Sequence, residues 1–111
     1  MTISLAPQSN GVVAESDIEG AVSRYAESLG WISRKFNSPA RRAEPDRIFF
    51  RDGRTVFIEF KRKGKKPTAA QRRRLDAYID AGFIAVSCDD IDCGKCIFDL
   101  IEAGRMKHYD C

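Results

Sequence analysis

Residues 46–61 constrain this chain more than any other stretch. Arg51-Asp52-Gly53-Arg54 separates two runs rich in β-formers, Asp46–Phe50 and Thr55–Lys61. Asp-Gly between such runs is the strongest short-range signal for a tight hairpin, whose central residues take positive φ. Along the second run, Val56, Ile58 and Phe60 fall on one face, with Thr55, Phe57, Glu59 and Lys61 on the other. The hairpin pairs Phe50 roughly with Thr55, which sets Asp46 opposite Glu59 to within about a residue. An acid and a lysine two positions apart on a strand emerge side by side, so one patch receives two carboxylates and an ammonium.

The remaining elements follow from periodicity and punctuation. Ile18, Val22, Tyr25, Ala26 and Leu29 recur at helical spacing, which predicts a helix from about Ser16 to Leu29 that stops at Gly30. Ser16 and Glu19 have the spacing of a capping box. Trp31–Phe36 reads as a strand and Asn37–Glu44 as a basic loop. Gly64-Lys65-Lys66-Pro67 breaks the chain, and Thr68 caps a helix to about Ala81 with Ala70, Leu75, Ala77, Tyr78 and Ile79 on its apolar side. Phe83–Ser87 is an apolar strand and Ile91–Ala103 a last helix. A strand, a helix and a strand over this distance make a right-handed crossover with the two strands parallel. The order α-β-β-β-α-β-α is one layered α/β domain over 15–104, with a mixed central sheet flanked by helices, an arm at 1–14 and a tail at 105–111.

Charge is segregated along the chain. Between Arg34 and Arg74 there are fifteen Lys and Arg against four acids, whereas the rest holds four basic residues and twelve acids. Such a stripe suits an anionic polymer, because each neutralised phosphate releases counterions. A hydrophobic content of 43% excludes a disordered tail. No apolar run approaches the ~18–20 residues that span a bilayer. The opening residues lack a basic n-region and a long apolar h-region, so secretion and membrane insertion are not expected.

Two carboxylates held close repel, and one takes up a proton unless a cation joins them. A hard divalent ion such as Mg²⁺ prefers oxygen ligands, lowers the pKa of bound water and neutralises charge on an attacked phosphate. Lys61 would then orient a nucleophile or stabilise the transition state. The purely structural alternative is a cross-strand acid–base pair on a solvated sheet face.

Taken jointly, Glu15-x-x-Ile18-Glu19, Gly30-Trp31, Pro45-Asp46, Ile58-Glu59-Phe60-Lys61 and Thr68-x-x-Gln71 resemble the PD-(D/E)xK superfamily of nucleases and, more narrowly, the VRR-NUC family. The likeness runs from Glu15 to Ala103, nearly the whole chain. It implies a restriction endonuclease-like core and a metal-dependent phosphodiesterase acting on DNA, with Mg²⁺ or Mn²⁺ as cofactor and no nucleotide cofactor. Small stand-alone members, found in phages, are associated with homodimers that cut branched DNA such as Holliday junctions, here in the cytoplasm of a bacterial host. By that carry-over Asp46 and Glu59 are metal ligands, with the Phe60 carbonyl a further one, Lys61 is catalytic, and Gln71 supports the site. The first helix supplies another acid. Glu15 continues its buried stripe, while Glu19 is a rival with a local capping role. The loop before Pro45 often carries glycine in such nucleases. Here it reads Arg41-Arg42-Ala43-Glu44, so Glu44 either pairs with an arginine or adds a carboxylate.

Arg41, Arg42, Arg62, Lys63, Lys65, Lys66 and Arg72 suit phosphate contacts, which position a substrate without reading its sequence. A sequence- or nick-directed duplex nuclease and an inactive DNA-binding module are the competing functions. Cys93-Gly94-Lys95-Cys96 lacks the second pair a structural zinc site needs, and reduced thiols are expected at Cys88, Cys93, Cys96 and Cys111. His108 stands on the tail, away from any base role. Ile97, Leu100 and Ile101, or the amino-terminal arm, are candidate dimer contacts.

Overall fold

The computed structural model describes residues 13–36 and 43–105. The chain runs α1 (Glu15–Ser28), β1 (Ile32–Lys35), β2 (Arg47–Arg51), β3 (Arg54–Phe60), α2 (Ala69–Asp80), β4 (Ile84–Cys88) and α3 (Ile91–Glu102). The expected order holds, with ends displaced by a residue or two. The four strands lie in chain order in one sheet, β1-β2-β3 antiparallel and β3-β4 parallel. Phe50 pairs with Thr55 across the hairpin, as the Asp-Gly turn requires. Asp52 and Gly53 both take positive φ there, at 51° and 76°.

Both faces of the sheet are covered. Val56, Ile58 and Phe60 of β3 join Phe49, Val86 and Cys88 beneath α1 (Ile18, Val22, Ala26) and α3 (Ile97, Phe98, Ile101). Phe57 and Ala85 meet Leu75 of α2 on the opposite face, with Tyr78 stacked on Phe57 at 4.1 Å between ring centroids. The alternation along β3 thus sorts its side chains between two helical layers. Phe98 anchors the larger core, edge-on to Trp31 and to Phe49.

Several expectations change. Ala70 and Ala77 are exposed, so Leu75, Tyr78 and Ile79 alone form the inner side of α2. Ile97 and Ile101 are buried against α1 and the sheet and cannot contact a partner. Among the described residues, the large apolar side chains left at the surface are Val13, Ile32, Phe50 and Phe83. The box at Ser16 and Glu19 does not form: Ala14 is the N-cap of α1, with no side-chain cap, and Glu19 is engaged by cations across the fold. Cys88 and Cys96 are free thiols, whereas Cys93 is disulfide-bonded, which corrects the reading of reduced thiols throughout. No helix of the described residues is long and apolar enough to cross a membrane.

Helices α1 and α3 touch at Gly94, where a Cβ would collide with Val22 and press on Cys88 Sγ at 3.0 Å. Gly94→Ala is therefore expected to destabilise the fold by about 1–3 kcal/mol through overpacking. In Val22→Ala the same change should cost much less, so urea melts of the four-member cycle should show strong coupling.

Candidate active site

The chain turns at Pro45 to enter the sheet, and Phe36 N–H ties Asp46 to the neighbouring strand through its carbonyl (2.9 Å). Arg47 is the register partner of Ile58, yet Asp46 N–H also reaches the Ile58 carbonyl at 3.1 Å. Two consecutive residues thus face one, the arrangement of a β-bulge, which re-aims a side chain. The expected register carries through β2, and the bulge shifts only its last step. Asp46 lands on the backbone beside Glu59, where Phe60 N–H donates to its Oδ2 at 2.7 Å.

Glu59 points into the α2 side of the sheet and is only 3% exposed. Its Oε2 accepts from Gln71 Nε2 at 3.0 Å and lies 3.4 Å from Lys61 Nζ. Gln71 is held by the capping box of α2: its Oε1 accepts from Thr68 N–H (2.9 Å), and its own N–H donates to Thr68 Oγ1 (3.1 Å). With Oε1 so engaged, the amide NH₂ is left for the carboxylate. The structure therefore brings Asp46, Glu59, Phe60, Lys61 and Gln71 together.

Glu59 Oε1 is buried and has no hydrogen-bond partner. An unpaired buried carboxylate oxygen is costly, and it suits an electropositive group the polypeptide does not itself supply. The available donors are the carboxylate oxygens of Asp46 and Glu59, to which the family resemblance would add the Phe60 carbonyl. That set fits a hard divalent cation.

Electrostatics agrees with geometry. Burial pushes the Glu59 carboxyl up to about 7, the Asp46 charge adds to the rise, and Lys61 opposes it. Asp46 is also raised, first by burial, with the Glu19 and Glu15 charges contributing and the Phe60 N–H working against them. Glu15 lies exposed in the first turn of α1, near enough for its charge to act on both acids. Among the described residues no three His, Cys, Asp or Glu side chains are grouped to hold an ion, so Glu15 stands apart from the pair.

Glu19 takes a different part. Its Oε2 meets Lys35 Nζ and Arg47 Nε, each at 2.7 Å. Burial opposes its ionisation, but these two cations prevail and hold the carboxyl below its ordinary value. Arg47 also donates to Ser33 Oγ at 2.9 Å. This network braces β1 and β2 directly behind the bulge and escapes sequence reading. Only the position of Arg47, next to Asp46, hints at it. Glu44 adds no carboxylate to the pair: it is nearly buried, accepts from Tyr78 Oη and lies 3.7 Å from Arg74 Nε, as the arginine-pairing alternative expects.

Of the expected phosphate contacts, Arg62, Lys63, Lys65 and Lys66 are exposed in the loop after β3. Lys63 lies 3.4 Å from Asp90, and Arg72 is clasped by Asp76 at 3.1 Å. Arg41 and Arg42 lie outside the described residues.

The raised Glu59 pKa makes stability pH-dependent with a definite sign. The native carboxyl holds its proton more tightly than the unfolded one, so its stabilising effect is complete below about 4.5 and is lost as pH rises through about 7. In EDTA, the wild-type chain should lose on the order of 2–3 kcal/mol between pH 5 and 8. Glu59→Gln should flatten that slope in denaturant titrations.

Comparison with known proteins supplies the family. No family model matches the sequence. Putative nuclease p44 of Acyrthosiphon pisum secondary endosymbiont phage 1 is 33% identical over 82 residues, which are 73% of this chain and 88% of that relative. Among solved structures, a VRR_NUC domain shares the fold with a TM-score of 0.68 and 23% identity, over 79% of this chain and 94% of the other. With Pro45-Asp46 and Glu59-Phe60-Lys61 joined at one sheet end, this chain belongs to the VRR-NUC family of nucleases.

Proposed function

We propose that this nuclease is an endodeoxyribonuclease dependent on Mg²⁺ or Mn²⁺ that cuts branched DNA, Holliday junctions included, as a homodimer in the cytoplasm of a bacterial host. The observation that carries the chemistry is the buried Glu59 carboxylate, one oxygen unpartnered, between Asp46 and Lys61. A divalent ion held by Asp46, Glu59 and the Phe60 carbonyl would lower the pKa of an attacking water and offset phosphate charge. Gln71 fixes Glu59 so that Oε1 stays free to bind. Lys61, mostly buried with 13% of its side chain exposed, is a compact cation placed to orient the nucleophile or to stabilise charge building on the phosphorane. The exposed Arg62, Lys65 and Lys66 grip the backbone on the neighbouring loop without reading bases.

Symmetric cuts across a junction need two sites related by a twofold axis. Ile32 on the edge strand β1 and its register partner Phe50 on β2, 52% and 40% exposed, offer apolar surface to a second copy.

The decisive experiment offers the protein a labelled four-way junction, matched linear duplex and single strand, in Mg²⁺, Mn²⁺ or EDTA. Paired nicks in the junction are expected with metal only, falling at least a hundredfold in Lys61→Ala, in line with the loss of a transition-state contact. Cutting of linear duplex in preference would keep the chemistry and remove the junction assignment. Tight, salt-sensitive binding without cleavage in either metal would leave a DNA-binding module.

The acid of the first helix is tested in the same assay. Glu15→Gln is expected to slow cleavage while leaving the melting temperature unchanged. Glu19→Gln should lower the melting temperature through its lost partners Lys35 and Arg47. Loss of cleavage in Glu19→Gln alone would transfer the catalytic role to Glu19.

A further inference from the structure

Ala43 and three residues of α2, Ala70, Arg73 and Arg74, line a concavity of about 330 Å³. Positions 70, 73 and 74 share one face of the helix, and Gln71, which holds Glu59, is on the adjoining side of the same turn. The two arginines are not equivalent. Arg74 is steered by Glu44 at 3.7 Å. Arg73 is exposed and, among the described residues, makes no ion pair or hydrogen bond. Alanine at position 70, with its side chain exposed, leaves the mouth of the concavity open to a bulky anion. The neighbouring Arg72 is turned away to Asp76.

We propose that this concavity seats a backbone phosphate of the DNA substrate, adjacent to the phosphodiester cut at Asp46 and Glu59, with Arg73 as its principal ligand. This rests on the DNA nuclease reading above and names where the substrate strand leaves the site. A planar guanidinium with no internal partner is suited to bidentate capture of phosphate oxygens. Arg74 lines the floor while its pairing with Glu44, itself held by Tyr78, keeps that side of the helix in place. A strand lying there crosses the first turns of α2, so Gln71 couples grip on the neighbouring phosphate to the orientation of Glu59.

The test measures fluorescence anisotropy of a labelled junction in Ca²⁺, which permits binding while cleavage is suppressed, between about 50 and 200 mM salt. Arg73→Ala is expected to weaken binding roughly tenfold and to reduce the slope of log affinity against log salt by about one. Arg73→Lys should restore the slope, because the charge returns, but only part of the affinity. Arg54→Ala removes the same charge at the hairpin end of β3, opposite the site, and should leave both quantities unchanged. An Arg73→Ala protein that binds like wild type would overturn the seat while leaving the nuclease reading intact. Wild-type protein that binds no DNA at any salt would overturn both. Inorganic phosphate, added at constant ionic strength, tests the alternative source of the anion. Lost phosphate binding in Arg73→Ala with unchanged DNA affinity would assign the concavity to a free anion and defeat the proposal.

Discussion

The hydrogen bond from Phe60 N–H to Asp46 Oδ2 is the hinge on which the site turns. It converts a backbone amide at the end of a sheet into a clamp on a carboxylate. The clamp exists because the β2–β3 register slips at Asp46 and Arg47, where both residues address Ile58. A regular ladder would have set Asp46 opposite Glu59, as two acids with nothing between them. The bulge instead places one acid on the backbone and leaves the other facing Gln71 and Lys61, close enough to interact and still separately held. Behind it, Glu19, Lys35, Arg47 and Ser33 lock the strand that carries the bulge.

That arrangement is costly in the bare protein. Burial alone disfavours the Glu59 charge, Asp46 adds repulsion, and a single lysine 3.4 Å away does not cancel them, which is why the carboxyl rises to about 7. The fold meets the cost with packing elsewhere. Phe49, Phe60 and Phe98 are fully buried in the larger core, and truncating any one such side chain typically costs about 3–5 kcal/mol. A strained carboxylate is tolerable where two helical layers hold the sheet from both sides. The stability lost at the site is the same quantity that makes the site attractive to a cation.

Much of this was legible from residues alone, for identifiable reasons. The alternation from Thr55 to Lys61 and the Asp-Gly turn set the register, and register sets which acids can meet. Thr68 announced the start of α2, and the structure adds Gln71, three residues on, as its reciprocal partner in a capping box. Ser16 and Glu19 have that spacing too, yet no box forms there. Glu19 finds two cations brought from β1 and β2, and a tertiary ion pair outweighs a local bond whose partner is a surface backbone amide. The bulge was invisible because a single-residue slip leaves no trace in period-two patterning. Ile97 and Ile101 were misread as surface for a related reason. An apolar stripe on a terminal helix looks the same whether it covers its own core or a partner's.

The same distinction governs the cationic stripe. Its excess of charge invites the picture of a uniformly sticky surface, but the structure divides the cations by task. Lys35 and Arg47 serve Glu19, Arg51 bridges Glu102 and lies over Trp31, Arg54 reaches the Ile101 carbonyl, Arg72 is tied to Asp76 and Arg74 to Glu44. These hold elements together, and a cation already paired releases few counterions when a phosphate arrives. Among the described residues, Arg62, Lys65, Lys66 and Arg73 are exposed and without such duties. All four lie between the end of β3 and the second turn of α2, three of them within the stretch from Lys61 to Gln71 and Arg73 just beyond it. Among the described residues, phosphate-binding capacity is therefore concentrated around the buried acids, so a strand held by these four is drawn towards Glu59.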